Sequence, residues 1–255
     1  MKNFISSNKE YRVRLWSVAL WLLLWHGLSV YIGHDILLVS PVAVIVRFSQ
    51  LICEADFWNS VLFSFQRITS GFLLAILLGG MSAALSARFR RIEELLAPVV
   101  LVFKSTPVAS FTILVLIWVS SRNLSVLISF LTVFPVVYTN LLNGIRNTDS
   151  KLLEMACVFD VPTHRRIVFI YLSQIMPFFR AACMVGLGLC WKAGVAAEVI
   201  GIPTGSIGEK LYMSKVYFNT PDLFAWTLTV IIISLLFEKL FMFLLDLIIR
   251  KIERL

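Results

Sequence analysis

The chain has 255 residues, 59% of them hydrophobic and only 15% charged, with a formal net charge of +8 and a mean hydropathy of +0.87. Soluble domains carry about 25% charged residues, so one aqueous core cannot hide this much apolar surface and the solvent must be lipid. No alternating ten-residue pattern recurs that would build a barrel, and the positive charge sits in short loops, where it reports topology rather than nucleic-acid binding.

Residues 1–13 are polar and basic and are expected to be a cytoplasmic segment. A full-length apolar run follows in place of a short signal core and cleavage site, so it reads as a retained first span. A helical span needs about 20 apolar residues. Six runs qualify, at about 14–33, 60–86, 95–119, 124–143, 167–200 and 223–249. The third is interrupted at Lys104–Pro107, and the fifth is long enough to tilt or break at Pro177. Between the first two runs, Ser40 can cap a helix whose first position suits Pro41. That helix is too short to span and is expected at the interface. Residues 14–250 thus read as a single transmembrane domain, with 251–255 as a cytoplasmic tail.

With the N-terminus inside, 14 Lys and Arg fall in cytoplasmic segments and 4 in external ones. This bias predicts six spans with both termini in the cytoplasm. The connection before the fifth span then lies in the cytoplasm. Polar residues 147–150 can start a helix there, and Pro162 disfavours helix at Val161, so the helix ends near Asp160. Thr163 can cap the next helix. Leu152, Ala156 and Phe159 recur at i, i+4 and i+7 with Leu153 beside them, an apolar stripe in water. Such a short helix is marginal alone. It rests either on a partner surface or on the chain's own spans and lipid headgroups.

Cys53, Cys157, Cys183 and Cys190 form no CxxC pair and read as small buried hydrophobes. His26, His34 and His164 show no metal-ligand spacing, and no metal site is expected. Arg67, Lys104 and Arg180 lie near span ends or the break and are expected to snorkel. Asp246 is expected to reach water. Lys192 and Glu198 are six apart on the fifth span, so they do not share a helix face; either could contact solute or pair with another span. Gly186, Gly188 and Gly194 suit close helix packing.

Several stretches, in order, carry a family likeness. Glu154, Ala156, Ile170 and Leu172 match a cytoplasmic signature of Glu-Ala-Ala, three residues, Gly, nine residues, Ile-x-Leu-Pro. Met155 stands at the first Ala of that signature, Asp160 at its Gly and Ser173 at its Pro, and Pro177 matches a second proline. SVLFSFQRITSGFLLAILLG, KSTPVASFTILVLIW, GLGLCWKAGVAAEVIG and NTPDLFAWTLTVIIISLLFEKLF add to it. Over about residues 36–250 the chain resembles the inner-membrane permease subunits of binding-protein-dependent ABC importers. The branch it resembles takes up nitrate, sulfonate, taurine and thiamine precursors.

The resemblance implies an all-α membrane protein of about six transmembrane helices with the type I ABC importer permease fold. Residues 150–161 would be a coupling helix, with Leu152, Leu153, Glu154, Ala156, Phe159 and Asp160 facing a cytoplasmic ATPase. The resemblance implies that the family Gly ends the helix in a left-handed turn, a conformation that Asp tolerates. Trp191, Lys192 and Glu198 would be candidates for the translocation pathway. Implied partners are an ATPase dimer, an extracytoplasmic solute-binding protein, a second permease copy and the bilayer of a prokaryotic cell membrane. The chain has no GxxxxGK[ST] loop, so ATP and Mg belong to the partner, and no cofactor is expected here. A stand-alone secondary transporter is the alternative, although no internal repeat is evident.

Overall fold

The structure, a computed structural model, describes residues 15–34 and 36–253. The expected N-terminal segment 1–13 lies outside them, as do residues 254 and 255. Every regular element among the described residues is helical. In chain order these are α1 (Leu15–Ile32), α2 (Pro41–Ile52), α3 (Ala55–Arg88), α4 (Arg90–Ser105), α5 (Val108–Val115), α6 (Ser121–Arg146) and α7 (Ser150–Val158). A continuous α8 (Thr163–Gly201) follows, then α9 (Ile207–Val216) and α10 (Thr220–Glu253).

Four helices, α3, α6, α8 and α10, are long and apolar enough to cross a bilayer, and α4 with α5 makes a fifth if the bent pair is one span. The pair turns by 109°. Pro107 has no N–H and pushes Thr106 out of the helical region, to φ −79° and ψ 127°. The Thr106 hydroxyl donates to the Val102 carbonyl at 2.7 Å, the same oxygen that accepts the Thr106 N–H at 3.0 Å. Helix α1 has 18 residues and lies at the periphery, with Trp25 against Phe224 at 5.7 Å between ring centres. Helix α2 begins as its sequence suggests: the Ser40 hydroxyl accepts from the Ala43 N–H, with Pro41 in the first turn.

The core is the contact of α3, α6 and α8, brought close by glycine. A Cβ on Gly71 would lie 2.4 Å from the Val126 carbonyl oxygen, and one on Gly194 would lie 2.6 Å from Ser129 Oγ. Such close approach gains dispersion contacts where lipid supplies no hydrophobic drive between helices. Gly186 also packs closely, 3.0 Å from Val133, but Gly188 faces open space, contrary to the packing role expected of it. The Ser129 hydroxyl donates to the Cys190 carbonyl at 3.1 Å. Cys183 and Cys190 are fully buried on the same inward face, whereas Cys53 and Cys157 are exposed, contrary to the burial expected of them. Helix α10 joins through rings: Phe237 meets Phe65 edge-on at 5.3 Å, and Phe241 meets Phe72 at 5.2 Å.

One charge expectation differs. Arg180 does not snorkel freely but pairs with Asp246, whose side chain stays partly exposed. Arg180 Nε donates to one Asp246 oxygen at 2.8 Å and a terminal nitrogen donates to the other at 3.3 Å. The planar guanidinium fork suits a carboxylate on the neighbouring helix better than a reach to water. Arg67 lies over the Phe63 ring, 4.1 Å from its centre. Pro177 does not break α8. The irregularity lies just before it, where Arg166–Leu172 winds as a π-helix.

Candidate functional site

Two ends of the bundle carry the residues that the sequence singles out. At the first, α7 starts on Asp149, whose side chain accepts from the Lys151 N–H. Its C-terminal turn is closed by two bonds, from the Val161 N–H to the Ala156 carbonyl (2.9 Å) and from the Asp160 N–H to the Cys157 carbonyl (3.2 Å). This is the Schellman pattern, which needs a left-handed residue after the helix. Asp160 supplies it at φ +48°. The following helix starts differently from expectation. Pro162 precedes it and makes no side-chain cap, and Thr163 is already helical.

The apolar stripe of α7 also falls elsewhere. Ala156 is 1% exposed and faces the chain itself, with Leu153 half-buried beside it. The outward face is Leu152, Met155, Val158 and Phe159, with Phe159 73% exposed. One turn of helix is 3.6 residues, so Leu152, Met155 and Phe159 at i, i+3 and i+7 share a face as well as the expected set does. Packing chose the smallest side chain for the inside. Glu154 is exposed, as is Asp160.

Helix α7 is tied to α8 at both ends. The Asp149 N–H donates to the Gln174 side-chain oxygen at 2.8 Å. Arg166 Nε donates to the Val161 carbonyl at 2.6 Å. The two anchors flank the π-helical turns of α8. Sequence reading missed Gln174 and Arg166 as holders of α7, because nothing in the local pattern pairs residue 149 with residue 174.

At the other end, Glu198 is fully buried near the C-terminus of α8. The Ser64 hydroxyl of α3 donates to Glu198 Oε2 at 2.6 Å and accepts from the Ile207 N–H at 2.9 Å. The Gly208 N–H donates to the same carboxylate oxygen at 3.3 Å. Glu198 thus occupies the N-terminus of α9, where free N–H groups and the helix dipole favour negative charge. The approach is tight: a Cβ on Gly208 would lie 2.3 Å from Glu198 Cβ. Ser206 and Glu209 complete the cap. The Ser206 hydroxyl accepts from the Glu209 N–H at 2.9 Å, and the Glu209 carboxylate accepts from the Gly205 N–H at 2.6 Å. Helix α8 stops at Ile202, held at φ +45°, a strained conformation for a β-branched residue.

The other two pathway candidates separate from Glu198. Trp191 is 2% exposed and packs among rings, 6.1 Å from Phe65 and 6.4 Å from Phe237. Lys192, one residue on, is exposed. The structure therefore brings together Glu198, Ser64 and the start of α9, and leaves Lys192 facing away from the chain.

The sequence pattern of the binding-protein-dependent transport system inner membrane component family matches residues 71–254. A putative aliphatic sulfonates transport permease protein of Bacillus subtilis is 30% identical over 189 residues, 74% of this chain and 68% of that protein. A riboflavin transport system permease protein of Chloroflexus aurantiacus is 25% identical over 221 residues, 86% of this chain and 82% of its own length. A nitrate import permease protein of Synechococcus elongatus is 25% identical over 192 residues, 71% and 68% of the two chains. With every regular element among its described residues helical, apolar helices of spanning length and this match over most of its length, the chain belongs to the binding-protein-dependent transport system inner membrane components and is a permease subunit of an ABC importer.

Proposed function

We propose that two copies of this chain form the membrane core of an importer in a prokaryotic cell membrane. Two separate cytoplasmic ATPase subunits drive it, and a binding protein delivers a small solute from outside. The path has six crossings, namely α1, α3, the bent α4–α5 pair, α6, α8 and α10, with both termini in the cytoplasm. The bias of 14 to 4 in loop Lys and Arg supports this orientation, because positive loops stay inside. ATP and Mg act in the partner, since this chain has no phosphate loop.

The observation that carries the reading is α7. It presents Leu152, Met155, Val158 and Phe159 outward, while Gln174 and Arg166 fasten its ends to α8. An apolar helix face of this kind is a docking element, and its anchors make it a lever. ATPase closure would move α7, and α8 would carry the movement past its π-helical turns, a segment type frequent at functional sites. Glu154 adds a charge at the rim of this contact.

The test is capture of the ATPase by the permease, together with transport in liposomes. Met155→Asp or Phe159→Asp places a charge in the contact and is expected to lower capture at least tenfold. Glu154→Ala is expected to weaken coupling more than assembly. Ala156→Trp is not a clean probe, because Ala156 is buried in this chain. Full capture and transport by both Asp variants would remove α7 as the docking element. Reporter fusions at Asn147 should read cytoplasmic and at Lys215 external.

A further inference from the structure

From Ser173 onward α8 carries three charged side chains, Arg180, Lys192 and Glu198. Arg180 pairs with Asp246, and Glu198 is held by Ser64 and Gly208. Lys192 is exposed and has neither a hydrogen bond nor an ion pair among the described residues. It precedes the end of α8 at Gly201 by nine residues, about 13 Å at 1.5 Å per residue. Neighbouring α6 gives the same depth: Ser129, bonded to the Cys190 carbonyl, lies eight residues inside that helix, about 12 Å from its end. A four-carbon stem cannot bridge that rise, so snorkelling to the interface does not solvate this ammonium.

A charge at this depth faces a bundle interior or a water-filled cavity rather than lipid. The face around it has room. Ala181, Val185, Gly188, Lys192 and Ala196 share one side of α8; Val185 is 53% exposed, Ala181 and Ala196 are exposed, and a Cβ on Gly188 would meet nothing within 4 Å. No carboxylate on this side neutralises the ammonium, since Glu198 points the other way into the α3–α9 contact. A second copy set against this face adds a second ammonium.

We propose that Lys192 selects the solute's charge: the α8 faces of two copies line a water-filled path, and their paired ammonium groups pass small oxyanions of the sulfonate or nitrate type and hold back cations. This rests on the reading of the chain as a two-copy permease. Like charges lining a narrow low-dielectric passage concentrate counter-ions and raise their encounter rates by about 10–1,000-fold. Rings of Lys or Arg select anions in pores by the same means.

The test uses the full chain in lipid nanodiscs, with the exposed Cys53 and Cys157 changed to Ser. Ala196→Cys places a thiol one turn above Lys192, and Gly188→Cys places one a turn below. Each is reacted with a sulfonate-bearing and with a trimethylammonium-bearing methanethiosulfonate, and the rate ratio is normalised to that of a free thiol. The expected ratio favours the anionic reagent at least tenfold, falls to near unity with Lys192→Gln and is retained with Lys192→Arg. Thiols that do not react, or a ratio indifferent to Lys192→Gln, overturn the proposal. ATPase capture and thiol cross-linking between copies, measured on the same chains, report on the permease reading separately. If copies link and capture ATPase while the thiol ignores reagent charge, the anion assignment alone fails.

Discussion

The two ends of the bundle solve opposite problems. At the α9 end, Ser64 bridges Glu198 Oε2 and the Ile207 N–H, the Gly208 N–H joins the same oxygen, and Gly208 lets α9 press onto Glu198, while the buried Oε1 finds no hydrogen-bond partner among the described residues. At the α7 end, four large apolar side chains face outward while Ala156 alone is buried in the helix. The first end is enclosed within the chain, so changes there are expected to act on stability. On the proposed reading the second is complete only with a partner, so changes there are expected to act on assembly. Burial, more than residue type, separates the two roles.

The contrast is broken most severely by Gly208→Leu. A Cβ there would lie 2.3 Å from Glu198 Cβ and 2.5 Å from its carbonyl carbon, and the backbone cannot swing away as a flexible side chain can. The expected loss is about 3 kcal/mol or more, read as a collapse of the melting temperature in detergent. A variant that melts like the parent would mean that α9 does not pack on Glu198.

Glu198→Ala comes next. It strands the Ser64 hydroxyl and the Gly208 N–H in a dry site, at a cost of about 1–3 kcal/mol. Glu198→Gln keeps an acceptor and is expected to lose less. Equal melting temperatures for the two variants would indicate that packing, not the bonds to Ser64 and Gly208, holds this end.

A smaller effect is expected at the close of α7. Asp160 holds φ +48°, where a β-branched side chain costs about 1–2 kcal/mol. Asp160→Val should therefore speed hydrogen exchange in Ser150–Val158, and Asp160→Gly should slow it. The reverse order would exclude a left-handed stop.

The smallest change in stability is the sharpest contrast. Met155→Asp and Phe159→Asp alter exposed side chains and should shift unfolding by no more than about 0.5 kcal/mol, while ATPase capture is lost. A large drop in melting temperature would place this face inside the fold and erase the difference between the ends.

Much of this was legible in the residues themselves. Composition alone named the solvent, and the runs at 60–86, 124–143, 167–200 and 223–249 became α3, α6, α8 and α10. Ser40, Pro41, Asp149 and Pro107 act within a turn of their own position, so their caps and breaks could be read locally. The left-handed stop at Asp160 was legible through the family signature. What depended on residues distant in sequence could not be read. Arg180 finds Asp246 across 66 positions, and Glu198 finds Ser64 across 134; a hydrophobic period carries no information about which helices become neighbours. The same limit moved the α7 stripe. Periodicity groups Leu152 with Ala156 and with Met155 equally well, and only the surface of α8 beneath selects Ala156 for the inside. Lys192 and Glu198 are both ionisable residues of one helix, and their surroundings differ wholly by placement. The helical period puts them on different faces, but packing alone decides which face is enclosed by α3 and α9 and which is left open.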